Sequence, residues 1–133
     1  MKIENKLIVI NYWHGKNIYC RNVLDHLAKI KLKFPNESVR MFALNPFENE
    51  TFIEDFNHLN DWIEYMKDQT GTYLFYQITR FPSILILTTD GRIIFRQDGI
   101  KTNHIKHIEY FLKSFYLSND LVNNITEQET PSL

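Results

Sequence analysis

The stretch Lys6-Leu7-Ile8-Val9-Ile10-Asn11-Tyr12-Trp13-His14-Gly15-Lys16-Asn17-Ile18-Tyr19-Cys20-Arg21 decides how this chain folds. Its first half, Lys6–Trp13, reads as a strand. Leu7-Ile8-Val9-Ile10 is a short continuous apolar run of the kind found in strands buried on both faces. Its second half opens an amphipathic helix over Ile18–Phe34. Cys20, Val23, Leu24, Leu27 and Phe34 fall near one stripe, while Arg21, Asp25, Lys29 and Lys33 face away. Asn17 stands where that helix needs a cap, since its side-chain oxygen can accept a bond from an N–H two or three residues on. Pro35-Asn36 ends the helix.

Working outward, Ser38–Leu44 is a second strand. Strand, helix and strand with a long crossover imply a right-handed parallel βαβ unit. Within Glu50–Met66, Phe52, Ile53, Phe56, Leu59, Trp62, Ile63 and Met66 recur at helical spacing, with Asn60-Asp61 as a candidate break. Thr72–Gln77 reads as a further helical turn. Ser83–Thr88 is a strongly apolar strand, Asp90-Gly91 centres a hairpin turn, and Ile93–Gln97 is the returning strand. Thr102–Leu117 is a last amphipathic helix with Ile105, Ile108, Phe111, Leu112 and Phe115 on one side. Residues 118–133 are polar, lack periodicity and read as a loose tail.

The bulk numbers narrow the function classes. A length of 133 residues suits one domain with a single core. A hydrophobic content of 44% argues for a packed globule rather than disorder. The formal net charge is -1, from 15 basic and 16 acidic residues, so nothing electrostatic points to nucleic acid or an anionic membrane. No run approaches the ~18 apolar residues a membrane span needs, so no membrane insertion is expected. Met1 leads almost directly into the first strand and no signal peptide is visible. The expected compartment is the cytoplasm if Met1 is the native start, and the cell envelope or periplasm if a leader has been removed. A single cysteine excludes an internal disulfide and a zinc site built from several cysteines. No metal or cofactor is expected.

Several features together resemble the thioredoxin-like superfamily over roughly residues 6–117. The strand ends in the aromatic pair Tyr12-Trp13, seven residues before Cys20. Phe81-Pro82 stands at the start of a core strand, where the family carries a cis-proline. The Asp90-Gly91 hairpin follows, and Gly99 lies just after the last strand. The gap of 65 residues from Asn17 to Pro82 resembles the TlpA-like branch of thiol-disulfide oxidoreductases, which inserts helical structure there. The resemblance implies an α/β fold, a three-layer α/β/α sandwich with a mixed central sheet of about four strands and a helical insertion before the expected cis-proline.

The resemblance also shows what is missing. The family's helix starts with Cys-x-x-Cys, whose first thiol is the exposed nucleophile and whose second resolves the mixed disulfide. Here the first position is Asn17, and only Cys20 remains. Lys16 also replaces the family's usual tryptophan.

The first functional reading is therefore a redox-inactive module that binds a peptide or partner protein. Its groove would comprise Trp13, His14, Asn17, Phe81 and Pro82, with the Phe81 backbone open to β-augmentation by an extended peptide. The alternative is a monothiol oxidoreductase or redox sensor with Cys20 as its catalytic residue. The apolar stripe favours a packed, inert Cys20, whereas a longer loop would bring it to the exposed helix start. His14 is either a plain loop histidine or a group that tunes Cys20. His104 and His107 share a helix face without completing a metal motif. Tyr12, Trp13, Tyr19 and Phe81 form either the core edge or a partner-facing rim. Oligomeric state is not legible.

Overall fold

The computed structural model describes residues 6–34, 38–56 and 62–129, with side chains through residue 118. A five-stranded mixed sheet has the order β3-β2-β1-β4-β5. β1 (Leu7–Tyr12) runs parallel to β2 (Val39–Asn45) and antiparallel to β4 (Ser83–Thr88). β2 runs parallel to β3 (Ile63–Lys67), and β4 pairs with β5 (Ile93–Gln97) as the expected hairpin. Among the described residues the helices are α1 (Ile18–Lys31), α2 (Glu50–Glu54), α3 (Thr72–Phe75) and α4 (Thr102–Glu129).

Period-2 alternation sorts the side chains into two cores. Leu7, Val9 and Trp13 of the β1 segment and Ile84 and Ile86 of β4 meet α1, α2 and α4 in the larger core. Tyr12, Leu85 and Leu87 point the other way, where Ile78, Tyr73 and Tyr76 cover them. The result is a three-layer α/β/α sandwich. α1 lays Cys20, Val23, Leu24 and Leu27 on the sheet, each 3% exposed or less. α4 packs beside it through Ile105, Ile108 and Leu112, and Lys33 reaches Glu109 at 2.7 Å across the two helices.

Four expectations are corrected. The sheet has five strands, the fifth being β3. Glu50–Met66 is not one helical segment: α2 ends at Glu54, and Ile63–Lys67 is an edge strand with Ile63 and Tyr65 buried and Glu64 and Met66 outward. Its two-residue period lies inside a window that also satisfies helical spacing, and pairing with β2 decides between them. α4 does not stop near Leu117; its backbone is helical through Glu129. α1 ends at Lys31, with single turns carrying the chain on to Phe34. The proposed breaks at Pro35-Asn36 and Asn60-Asp61 lie outside the described residues.

The layering predicts a sharp contrast in stability. Ile86→Ala, at a side chain with no exposure in the central strand β4, should cost about 2–5 kcal/mol. Phe75→Ala, at an 80% exposed ring, should stay within about 0.5 kcal/mol. Urea unfolding of both variants checks this, and equal losses would contradict the core assignment.

Candidate functional site

The site gathers at the carboxyl end of β1, where the chain turns into α1. Asn17 is the helix cap: its backbone is extended, and its side-chain oxygen accepts from the Tyr19 N–H at 2.8 Å. The Arg21 Nε donates back to the Gly15 carbonyl at 2.9 Å and steadies the turn. Gly15 is required by close approach. A Cβ there would lie 2.2 Å from the Phe52 ring and 3.2 Å from the Trp13 ring.

One turn into the helix, Cys20 has no exposed surface. Burial pushes its thiol pKa up; the His14 backbone N–H bonded to the sulfur pulls it down, and the Glu48 carboxylate pushes it up further. Burial is the largest of the three effects, so the neutral thiol is favoured.

Glu48 comes from the loop after β2. Asn45 builds that loop, its side-chain oxygen accepting from the N–H groups of Phe47 and Glu48, each at 2.9 Å. Lys67 ties it from β3 by donating to the carbonyls of Pro46 and Glu48 at 3.1 and 2.9 Å. The loop delivers the nearly buried Glu48 carboxylate to His14, with Oε1 2.8 Å from Nδ1 and 3.3 Å from the Lys16 N–H. The Phe47 ring, 49% exposed, stacks near His14, Phe81 and Tyr73 at centroid distances of 5.0, 5.1 and 5.9 Å. An aromatic wall thus joins the His14 loop to the Pro82 loop.

That wall separates two cavities. One, of about 450 Å³, is lined by His14, Lys16, Phe47, Glu48, Asn49 and Phe52. The other, of about 560 Å³, lies at Tyr19, Arg80, Phe81, Pro82, Gly99, Ile100 and Lys101. The Phe81–Pro82 peptide is cis, and the Pro82 carbonyl accepts from the Ile100 N–H at 2.7 Å. Among the described residues, no hydrogen bond reaches the Phe81 N–H or carbonyl. Tyr19 closes this cavity toward α4, its hydroxyl accepting the Thr102 N–H at 3.1 Å.

Of the residues read from the sequence, His14, Phe81 and Pro82 line these cavities, whereas Asn17 lines neither and acts as a cap. Trp13 is corrected outright. It is a core residue with no exposure, packed edge-on against Phe56 and Tyr65 at 4.8 and 5.9 Å, because strand alternation turns it toward α1. Tyr12 is equally buried on the opposite face and bonds Thr72 Oγ1 at 2.8 Å. The rim therefore keeps Tyr19 and Phe81 and loses the aromatic pair. His104 uses Nδ1 to accept the Lys101 N–H at the start of α4. Sequence reasoning missed Phe47 and Glu48. The turn residues Asn45-Pro46 mark the loop, but nothing local aims a lone carboxylate at a histidine 34 residues away.

This architecture is the thioredoxin-like fold. StoA from Bacillus subtilis is similar over 81% of this chain and 83% of its own, at 19% identity and a TM-score of 0.63. The thioredoxin domain of a thiol-disulfide oxidoreductase from Bacteroides vulgatus matches over 81% and 80%, at 16% identity and a TM-score of 0.64. A thioredoxin-like protein from Aeropyrum pernix matches over 84% and 79%, at 10% identity and a TM-score of 0.68. No protein-family model and no curated protein matches the sequence.

Two predictions follow from Asn17 and Cys20. Asn17→Cys should create an oxidisable pair with Cys20, since positions three apart in a helical turn are neighbours and a thiol at the helix start has a lowered pKa. Thiol counting should fall from two to zero under mild oxidant; two persistent thiols would refute the placement of Asn17. The second concerns pH. The raised Cys20 pKa favours the folded state fully below the thiol's ordinary value of about 8.5, and that contribution is lost as pH rises through the raised value. From about pH 7 to about pH 10 the native chain should therefore lose stability relative to Cys20→Ala in urea titrations. A pH-independent difference would contradict the burial of the thiol.

Proposed function

We propose that this chain is a redox-inactive thioredoxin-like module that holds an extended peptide, or an extended segment of a partner protein, between the His14 loop and Pro82. One observation carries the reading: at the helix start, Asn17 is a cap, and the lone thiol one turn on has no exposed surface. Dithiol exchange needs an accessible thiolate and a second sulfur to resolve the mixed disulfide. This chain has one cysteine.

The binding half of the reading rests on the Phe81 backbone. Among the described residues its N–H and carbonyl have no partner, and an extended segment would pair with them as a strand pairs with a sheet edge. A side chain of that segment would then cover the half-exposed Phe47 ring. Burial of that apolar surface is worth about 25 cal/mol per Å² before the cost of ordering the peptide.

The second reading is a monothiol oxidoreductase or redox sensor at Cys20. It is favoured by the His14 N–H bonded to the sulfur, a contact that stabilises a thiolate.

Two measurements test the first reading. Insulin-disulfide reduction with excess electron donor should show no turnover; turnover at the rate of a dithiol thioredoxin control would overturn the redox-inactive reading. Peptides selected from a random display library should shift the amide resonances of Phe47, Tyr73 and Phe81. Shifts clustered on another face would remove the groove from consideration.

A further inference from the structure

The cavity beside Pro82 carries an uncompensated charge. Arg80 and Lys101 both line it and both are exposed, and no carboxylate is among its lining residues. Arg80 leaves the chain one residue before the unpaired Phe81 backbone, and Lys101 follows Ile100, whose N–H holds the Pro82 carbonyl. The two residues reach the same cavity from the approach to β4 and from the entry to α4.

Some of the other basic side chains are paired, whereas Lys16, Lys29, Arg92 and Lys106 share with Arg80 and Lys101 the lack of a salt bridge among the described residues. Lys33 and Lys113 pair with Glu109, Arg40 with Glu64 and Arg96 with Asp98, at 2.7 to 3.0 Å. Asp98, the carboxylate nearest to Lys101 in the sequence, is taken up by Arg96 at 2.8 Å. Among the described residues, Arg80 and Lys101 have no salt-bridge partner. The whole chain is close to neutral at -1, so this excess is local. Across the aromatic wall, the Glu48 carboxylate is almost wholly buried and engaged by His14, so it does not cancel the charge at the groove surface.

We propose that the partner of this groove is an acidic extended peptide, with a carboxylate side chain held in the Pro82 cavity by Arg80 and Lys101 while an apolar neighbour covers Phe47. The inference rests on the peptide-binding reading above and adds the chemistry of the bound segment. Guanidinium and ammonium groups recognise a carboxylate by charge-assisted hydrogen bonds. Tyr19 and Phe81 line the same cavity and offer apolar ring surface beside that contact.

The test is fluorescence anisotropy with three labelled synthetic peptides of one length, alternating leucine with glutamate, glutamine or lysine. The glutamate peptide should bind at least tenfold tighter than the glutamine peptide, and its advantage should shrink as salt rises from 20 to 500 mM. Arg80→Gln combined with Lys101→Gln should abolish the glutamate preference. Arg92→Gln, in the β4–β5 hairpin, should preserve it. Near-UV circular dichroism confirms that each variant keeps its packing. Glutamine or lysine peptides binding as tightly as the glutamate peptide would overturn the acidic partner and leave the groove standing. No binding by any of the three would overturn the acidic partner and the peptide groove together.

Discussion

The seating of α1 on the sheet is the constraint on which the rest of this structure depends. The helix begins at the carboxyl end of β1 and presses Cys20, Val23, Leu24 and Leu27 against Val9, Met41, Ile84 and Ile86. Each such side chain is worth about 1.5–3 kcal/mol when fully buried. Rotating the helix to expose the sulfur would expose the aliphatic residues that share its stripe. The inaccessibility of Cys20 is thus a consequence of the same packing that makes the domain stable. Asn17 starts the helix without contributing a nucleophile, so the fold keeps its geometry and loses the reacting group.

At that end of the molecule the 45–49 loop and the Pro82 loop meet across Phe47. The 45–49 loop is pinned by Asn45 from within and by Lys67 from β3, which holds Phe47 between His14 and Phe81. Glu48 is spent on His14 rather than offered to solvent. Among the described residues, the Phe81 backbone has no hydrogen-bond partner, and it lies beside a cavity lined by Arg80 and Lys101. Proteins of known structure that share this architecture include a thiol-disulfide oxidoreductase; in this chain the helix start carries Asn17 as a cap and the single thiol, Cys20, is buried.

Much of this was legible in the sequence because it is local. The apolar runs of β1 and β4, the cap at Asn17, the stripe containing Cys20 and the Asp90-Gly91 hairpin each declare themselves within a dozen residues. The alternation of Leu7, Val9 and Trp13 aims Trp13 at the core, and the structure follows that periodicity rather than the groove that the aromatic strand end suggests. β3 is hidden because Ile63 and Met66 continue the helical spacing of Phe56 and Leu59, while Ile63 and Tyr65 share a strand face, and only pairing with β2 settles the choice. Phe47 and Glu48 were invisible for a different reason. Their meaning comes from His14 and Phe81, which lie more than 30 residues away on either side, and no local pattern encodes that meeting.

The accessibility of the Cys20 sulfur tests the central claim most directly. Labelling with a thiol-specific disulfide reagent at neutral pH should proceed at least a hundredfold more slowly in the native protein than in the same protein unfolded in urea. Native labelling at the rate of the unfolded chain would show that the sulfur reaches solvent, and would make the monothiol site the better account of this fold.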